Sequence, residues 1–592
     1  MTRLVFDLET DGHLDELTRI HCIATRDIDN PDTSWVFGPH QIDEGLAQLA
    51  AAEEIRGHNV LGFDIPAIQK VRPFFSTDHL KVTDTLVLSR LIRCDLKNDD
   101  YASRLTAEEF PKKYYGSHGL KAWGFRLGIH KGDFGEQTDW AEWSQGMQDY
   151  CERDVEVTLA LLQELKPHEF SQDAIAFEHR IAEICHRIGQ AGWTFDNQAA
   201  AELYAQLVLE RDTIEEELQT LFPDWIIETD FVPKVNNAKL GYEKGVPFTK
   251  QKTVQFNPNS RKHIEYNLRK KYDWKPKVFT LQGDAKIDET VLASLPYEEA
   301  QKLARSFMLQ KRIGQLAEGK NAWMRLVDDD GKLRHNINPN GTVTGRASSF
   351  GPNLQQVPSL RAEFGLQCRQ LFQPSAGYTL LGADLKGLEL RCLAGFLHPI
   401  DGGKYAKVVL EGDIHQANAD MAGISRDQAK TMIYALCYGG GDTRLGQILD
   451  AGPQAGRALR QRFYKANPAF ETLVRRVKNT ANQRGFLRGL DQRQLPVRSD
   501  HAALNVLLQS AGALISKKWV ELVDAELKKQ NLDARLIAWI HDEIQLEVAN
   551  KEDHEHVGRI TRRMAQEAGG AFNFAVAIDA DFSVGPDWAS TH

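Results

Sequence analysis

Cysteine is scarce in this chain: there are seven in 592 residues, none in a C-x-x-C pair, and no histidines cluster at zinc-ligand spacing. Neither a disulfide framework nor a structural zinc site is expected. Cys22, Cys94, Cys151, Cys185, Cys368, Cys392 and Cys437 read instead as buried thiols in a reducing compartment. Long apolar runs are missing as well. No run approaches membrane-spanning length, and the start MTRLVFDLET has no basic segment followed by an apolar stretch, so neither a membrane span nor a leader is expected. There is no G-x-x-x-x-G-K-[ST] loop to support a helicase motor, and no repeat or low-complexity tract. Positive charge falls short, with 72 lysines and arginines against 82 acids and a net charge of -10. That deficit excludes little, because a negative total can conceal a basic groove and a metal site itself needs carboxylates.

Three styles of sequence follow one another. From Arg3 to about Leu165, strand-like runs (LVFDL, IHCIAT, EEIRGHNVL) alternate with helix-like ones, which predicts an α/β domain. From about Asp173 to Leu326 the pattern is mostly helical, with AAAELYAQLVLERDTIEEELQTLF and EEAQKLARSFMLQKRIGQL as long amphipathic pieces. Between them FVPKVNNAKLGYEKGVPFTKQKT, polar and broken by Pro and Gly, reads as loop. From about Asn336 onward strands and long helices mix, and the chemically suggestive residues crowd together.

In LVFDLET, Asp7 and Glu9 are two apart on a predicted strand and leave the same face, about 7 Å apart along it. An isolated D-x-E more often marks a solvated strand face. Two further patterns shift the balance. Asp64 in GHNVLGFDIP stands at a strand-to-helix junction with Pro66 just inside. Tyr150 and Asp154 in DYCERD are one helical turn apart. Together D-x-E, N-x-x-x-F-D and Y-x-x-x-D resemble the three motifs of proofreading-type 3′–5′ exonucleases. Such a site needs several hard oxygen ligands for two divalent ions; the resemblance assigns them to Asp7, Glu9, Asp64 and Asp154, and orientation of the attacking water to Tyr150.

In GISRDQAKTMIYALCYGGGD, Ser425 and Gln428 form a capping box, and Gly439 to Gly441 supply a stop. Arg426, Lys430 and Tyr434 recur every four residues and share one side. Alone this would be a solvated face; as function, two cations above a ring suit a triphosphate with its sugar against the ring. A second pair of acids, Asp542 and Glu543, sits between two strand-like apolar runs in LIAWIHDEIQLEV, where no lysine or arginine balances them.

The segment RDQAKTMIYALCYGG resembles the fingers helix of family A, polymerase I-like DNA polymerases; DLKGLELR and HDE (541 to 543) resemble their two palm motifs. TGRASSFGPNLQQVP, LNVLLQSAGALI, GDIHQANA and GPDWASTH extend the likeness over nearly the whole chain, closest to replicative polymerases of short-tailed bacteriophages. The implied fold class is α/β and α+β multidomain: a ribonuclease H-like exonuclease domain (1–168), a thumb-containing region (169–330), palm (331–404), fingers (405–482) and palm again (483–592).

The resemblance makes Asp384 and Asp542 the metal-bridging aspartates, with the Leu385 carbonyl as third protein ligand. Arg426 and Lys430 would hold the incoming triphosphate with His415 assisting. Tyr434 would stack on the sugar and, with Glu389, exclude a ribose 2′-hydroxyl. Tyr438 would stack beside the templating base, while Arg346, Asn505, Gln509 and His541 would touch the primer-template minor groove without reading sequence. In the thumb, Lys302, Arg305 and Arg312 come round to one side of a predicted helix as a rail for phosphates; Lys311 is a DNA contact by family resemblance only. Lys386 departs from the family's usual serine and is expected close to the metal site, its role open beyond a phosphate contact. Glu543 stays open between tuning the site and completing the turn.

The implied cofactors are two Mg²⁺ ions per active site, with Mn²⁺ as a substitute. The implied partners are primer-template DNA and dNTPs, with a phage helicase-primase and a single-strand-binding protein left open. Some phage relatives capture host thioredoxin through a long thumb insertion; the loop from Pro223 to Thr253 looks too short for it. The implied location is the cytoplasm of an infected host cell, with no membrane. Two alternatives are an exonuclease with a degenerate polymerase half, against which Asp384, Asp542, Arg426, Lys430 and Tyr434 stand, and a non-catalytic DNA-binding scaffold, which would not need two carboxylate sets.

Overall fold

A computed structural model describes residues 2–592 except 133 and 281. The chain divides into two units, residues 1–194 with 334–592, and residues 195–333.

In the first unit, a five-stranded sheet runs in the order Ser34–Phe37, Ile20–Asp27, Arg3–Thr10, Glu54–Gly57, Lys81–Asp84. The first three strands are antiparallel and the last three parallel. Period-two alternation along Arg3–Thr10 splits its side chains between two cores. Leu4, Phe6 and Leu8 enter a cluster with Ile23, Leu46 and Ile68. Val5 enters the opposite cluster, formed with Cys151, Val155 and Leu162 of helix Gln145–Leu165. Asp7 and Glu9 continue the Val5 face, so both carboxylates turn toward that helix. Ser144 caps it by accepting from the Met147 amide.

Further along the same unit, a four-stranded antiparallel sheet has the order Ala534–Ile540, Glu543–Ala549, Tyr378–Leu385, Ala580–Gly585. Ile544, Leu546 and Val548 pack into the largest core with helices Ala503–Lys529 and His554–Gly570. Their alternates Glu543, Gln545 and Glu547 are also buried: Trp588 bonds Glu543, Thr591 bonds Gln545, and Ser375 and Arg535 bond Glu547. Helices Leu388–Asp401 and Arg426–Cys437 join this core through Leu393, Leu397, Met432 and Ile433. The expected capping box at Ser425 and Gln428 is present, and Gly439 ends the helix at φ +76°. All seven cysteines are free, and six are buried.

The second unit is helical around its own core of Leu218, Phe222, Ile264, Leu268 and Leu303, from helices Asn197–Leu221, Arg261–Tyr272 and Glu298–Ile313. One sequence expectation is corrected here. The stretch from Phe231 to Thr253 is not all loop: Trp225–Phe231 and Phe248–Val254 pair in seven-residue antiparallel register, leaving only 232–247 as connection. The β-branched residues that favour pairing lie at the ends of the stretch, outside its Pro- and Gly-rich middle. A second correction concerns the phosphate rail. Lys302 pairs with Glu217 and Arg305 with Glu210, both on helix Asn197–Leu221, while Arg312 is buried with a guanidinium N–H on Gln315. These pairs tie two helices together, with Lys302 and Arg305 half-buried; Lys311 is exposed.

Candidate active sites

The first site gathers Asp7, Glu9, Asp64 and Asp154 from a strand, a helix start and a long helix. Asp64 and Asp154 are buried, at 3% and 6% exposure. Burial first, then mutual repulsion with Asp154 and Asp64, pushes the Asp7 carboxyl well above its ordinary range; Glu9 moves the same way for the same reasons. Burial and the neighbouring Asp84 lift Asp64 to about 8. Burial lifts Asp154 to about 6, opposed by Lys131. Four acids that burial and repulsion push toward protonation form a site that a cation would relieve.

Lys131, which carries no sequence motif, is the cation within reach. Its side chain is 7% exposed, it donates to Asp154 Oδ2, and its ammonium stands 4.6 Å from the centre of the Tyr150 ring. The other Asp154 oxygen, Oδ1, is buried without a hydrogen-bond partner. Carboxylate oxygens of Asp7 and Glu9 lie within 4.8 Å of one another and of the Cys151 sulfur. The thiol donates to the Asp7 carbonyl at 3.3 Å and burial raises its pKa, so hard ions would find their ligands among the acids. Asp84 was also missed. It is 1% exposed and accepts from the amides of Asn59, Leu61 and Leu86 at 2.8 to 3.1 Å, fixing the loop that delivers Asp64.

The second site lies at paired strand ends. Asp384 stands opposite Glu543 in the register, and the Leu385 amide donates to the Asp542 carbonyl at 3.0 Å. Burial, then repulsion from Asp542 and Glu543, lifts Asp384 to about 7; burial also raises Asp542. The two-residue turn places His541 at φ +60°, unusual for a residue with a side chain. Trp539 Nε1 and Ser516 Oγ both donate to the His541 carbonyl, at 3.1 and 3.0 Å, and hold the turn in that conformation. Glu543 divides from Asp542: it is buried and accepts from Gln545 and Trp588 at 2.8 and 2.6 Å, and His592 Nδ1 lies 2.7 Å away. It anchors the segment over the sheet. Lys386 is likewise settled, held by Asp579 at 3.2 Å and Asp581 at 2.7 Å.

Arg426, Lys430 and Tyr434 share one side of their helix, and Tyr434 feels the charge of Asp542. Arg426 is paired with Asp413 at 2.8 Å, and the His415 ring centre is 6.3 Å from that of Tyr434. Burial and the two cations lower the His415 pKa. Glu389 is not hydrogen-bonded to Tyr434. It accepts from the Tyr438 hydroxyl at 2.6 and 2.7 Å and pairs with Arg346 at 3.2 Å. The hydroxyl one turn further along the helix is the one that reaches it. Asn505 and Gln509 are half-buried on helix Ala503–Lys529, and Asn505 Oδ1 has no partner.

The sequence profile of DNA polymerase family A matches residues 243–590. The chain belongs to that family. DNA-directed DNA polymerases of Escherichia phage T7 and Enterobacteria phage T3 are each 34% identical to this family A chain over the full length of both partners. The thermostable DNA polymerase I of Thermus aquaticus is 29% identical over 280 residues, 44% of this chain and 33% of that one. In fold, the chain resembles the polymerase domain of Pol1 from M. smegmatis, solved with DNA primer-template and dNTP. The TM-score is 0.74 at 18% identity, over 99% of this chain and 96% of the other. A phage-type family A enzyme carries out template-directed DNA synthesis, and the paired aspartates at 384 and 542 lie in the part matched by the family profile. The exonuclease-like cluster lies outside residues 243–590, and no helix among the described residues is long and apolar enough to cross a membrane.

Proposed function

We propose that this polymerase replicates a phage genome and proofreads its product, with polymerisation at Asp384 and Asp542 and 3′–5′ exonucleolysis at Asp7, Glu9, Asp64 and Asp154. The observation that carries the exonuclease half is the gathering of four carboxylates from three segments, Asp64 and Asp154 buried and Asp7 and Glu9 half-buried, with Asp154 Oδ1 left unpartnered. The proposed division is 1–168 exonuclease, 169–330 thumb region, 331–404 and 483–592 palm, and 405–482 fingers.

The donor sets fit two Mg²⁺ ions at each site, with Mn²⁺ as a substitute: Asp384, Asp542 and the Leu385 carbonyl at one, Asp7, Glu9, Asp64 and Asp154 at the other. When bound, such ions neutralise phosphoryl charge and favour ionisation of the attacking oxygen. The chain's own residues do the positioning. Arg426 and Lys430, with His415 beside them, present positive charge to the triphosphate of an incoming dNTP; Arg426 would exchange Asp413 for phosphate. Tyr434 offers its ring to the sugar. The Glu389 to Tyr438 bond holds the second ring at the end of that helix, where it would meet the template base. Arg346, Asn505, Gln509 and His541 would meet the primer-template near the new pair. In the exonuclease site Tyr150 would orient the attacking water, and Lys131 would balance the charge on Asp154.

The substrate partners are primer-template DNA and dNTPs, and the setting is the interior of an infected host cell. Thioredoxin is not used. The alignment with the T7 enzyme runs to 710 positions against 592 residues here, so that relative carries segments this chain lacks, and here the connection in the thumb hairpin is residues 232–247. A labelled primer-template with Mg²⁺ tests the reading: the primer should lengthen with dNTPs and shorten without them, and added thioredoxin should leave product length unchanged. Extension without degradation would remove the proofreading half.

A further inference from the structure

Two consecutive residues of helix Gln172–Ala191, Glu178 and His179, are buried, and each supports a different catalytic site. His179 Nδ1 is bonded to the Ile175 carbonyl at 2.8 Å, so that nitrogen carries the proton, and Nε2 accepts from the Asp84 amide at 2.8 Å. The Asp84 carboxylate holds the Asn59 and Leu61 amides of the loop that delivers Asp64, and it caps helix Thr85–Ile92 through the Leu86 amide. On the other branch, Glu178 accepts from Lys517 and, at 2.6 Å, from Arg493 Nη2. Arg493 is 2% exposed, and its Nε is held by both oxygens of Asp491 at 2.9 and 3.0 Å.

The two branches meet at Asn340. Its buried side chain uses both ends of the amide: Nδ2 donates to the Arg90 carbonyl, on helix Thr85–Ile92, at 2.8 Å, and Oδ1 accepts from Arg493 Nη1 at 3.4 Å. The contacts close a ring, from His179 through Asp84 and the helix it caps to Asn340, then through Arg493 to Glu178. The loop that leaves Asn340 lies over this junction. At Gly345, φ +78°, a Cβ would stand 2.8 Å from Arg493 Nη1 and 3.3 Å from Asn340 Oδ1. Arg346 follows directly, its carbonyl accepting from the Gly341 amide at 3.0 Å and its amide donating to Thr342 Oγ1 at 3.1 Å, so the loop is closed on itself.

We propose that Asn340 is a positioning residue that couples excision to the state of the primer end, by tying the Arg346 loop to the helix that Asp84 caps. It rests on the proofreading reading and adds the link by which one site answers to the other. Coupling travels through packed and hydrogen-bonded groups that have two arrangements. Arg346 supplies them: without DNA it pairs with Glu389 at 3.2 Å, and a paired primer end would draw it away, while a mispaired end would return it. The closed loop carries that shift to Asn340, and the Arg90 carbonyl passes it to the helix whose cap, Asp84, fixes the loop before Asp64.

The test is single-turnover excision of paired and mispaired 3′ ends in duplex primer-template, by the full chain with Mg²⁺ and no dNTPs, for the wild type, Asn340→Ala and Asn340→Asp. The aspartate keeps an acceptor for Arg493 and loses the donor to the Arg90 carbonyl. The wild type should remove mispaired ends faster than paired ones, and in both variants that ratio should fall by about fivefold or more. Degradation of single-stranded DNA, which has no end pair for Arg346 to hold, should stay unchanged. An unchanged ratio in either variant, or no preference in the wild type, would overturn the proposal. So would an equal loss of single-strand degradation, which would leave Asn340 a structural role alone. Failure of the proofreading reading is separable, since then the wild type itself would degrade neither substrate.

Discussion

The amide of Leu385 donates to the carbonyl of Asp542 across 3.0 Å, tying the end of one strand to the turn after another. The carboxylates of Asp384 and Asp542 therefore leave two backbones held by one hydrogen bond, beside a turn braced by Trp539 and Ser516. Geometry at this site depends on groups that do not themselves touch substrate.

Trp539→Phe tests that dependence. It keeps the ring in the core and removes one of the two donors to the His541 carbonyl, at about 1 kcal/mol of stability. Primer extension should slow while degradation stays unchanged, as read by single-turnover kinetics of both reactions. Equal loss of the two would mean general unfolding.

Asp384 predicts a pH dependence. Burial and two neighbouring acids hold its carboxyl at about 7, above the ordinary range, so in the metal-free protein it is protonated below that pH and charged above it. Binding a divalent ion must expel that proton, so affinity should rise with pH up to about 7 and flatten beyond. Calorimetry of Mg²⁺ binding to Asp7→Ala, in two buffers of different ionisation enthalpy, measures the released proton.

Lys131→Met removes the only cation paired with Asp154 among the described residues. The buried acids would then repel without an internal counter-charge, costing about 3 kcal/mol in the metal-free protein. Mg²⁺ should recover much of that loss, so the metal-induced rise in Tm should be larger in the variant than in the wild type. Thermal unfolding with and without Mg²⁺ checks it.

Tyr434→Phe bears on the sugar pocket. The resemblance makes a tyrosine here the form that accepts chain terminators well, so the substitution should lower dideoxynucleotide incorporation, relative to dNTPs, by more than about tenfold. Competitive incorporation gives the ratio directly; an unchanged ratio would contradict the placement of Tyr434 at the sugar.

Much of this architecture is legible in the residues themselves. The D-x-E strand, the Ser425 capping box and the HDE turn each carry a local signal, a period of two, a cap or a break between two apolar runs, that survives into the fold. What escaped was decided by distant partners. Lys131 and Asp84 have no motif, and only folding brings them to Asp154 and to the loop before Asp64. Glu543, Gln545 and Glu547 alternate like a strand with a wet face, yet Trp588, Thr591 and the Ser375–Arg535 pair occupy them. Helical spacing set Lys302 and Arg305 on one side correctly, but not that glutamates of a neighbouring helix face that side. The hairpin at 225–254 hid behind a connection rich in Pro and Gly.

The central claim is that one chain holds two independent phosphoryl-transfer sites. Extension and degradation of a labelled primer-template with Mg²⁺, compared among the intact chain, Asp542→Ala and Asp7→Ala, tests it most directly. Asp542→Ala should abolish extension and leave degradation, and Asp7→Ala should abolish degradation and leave extension. Loss of both activities in either variant, or of neither, would contradict the account.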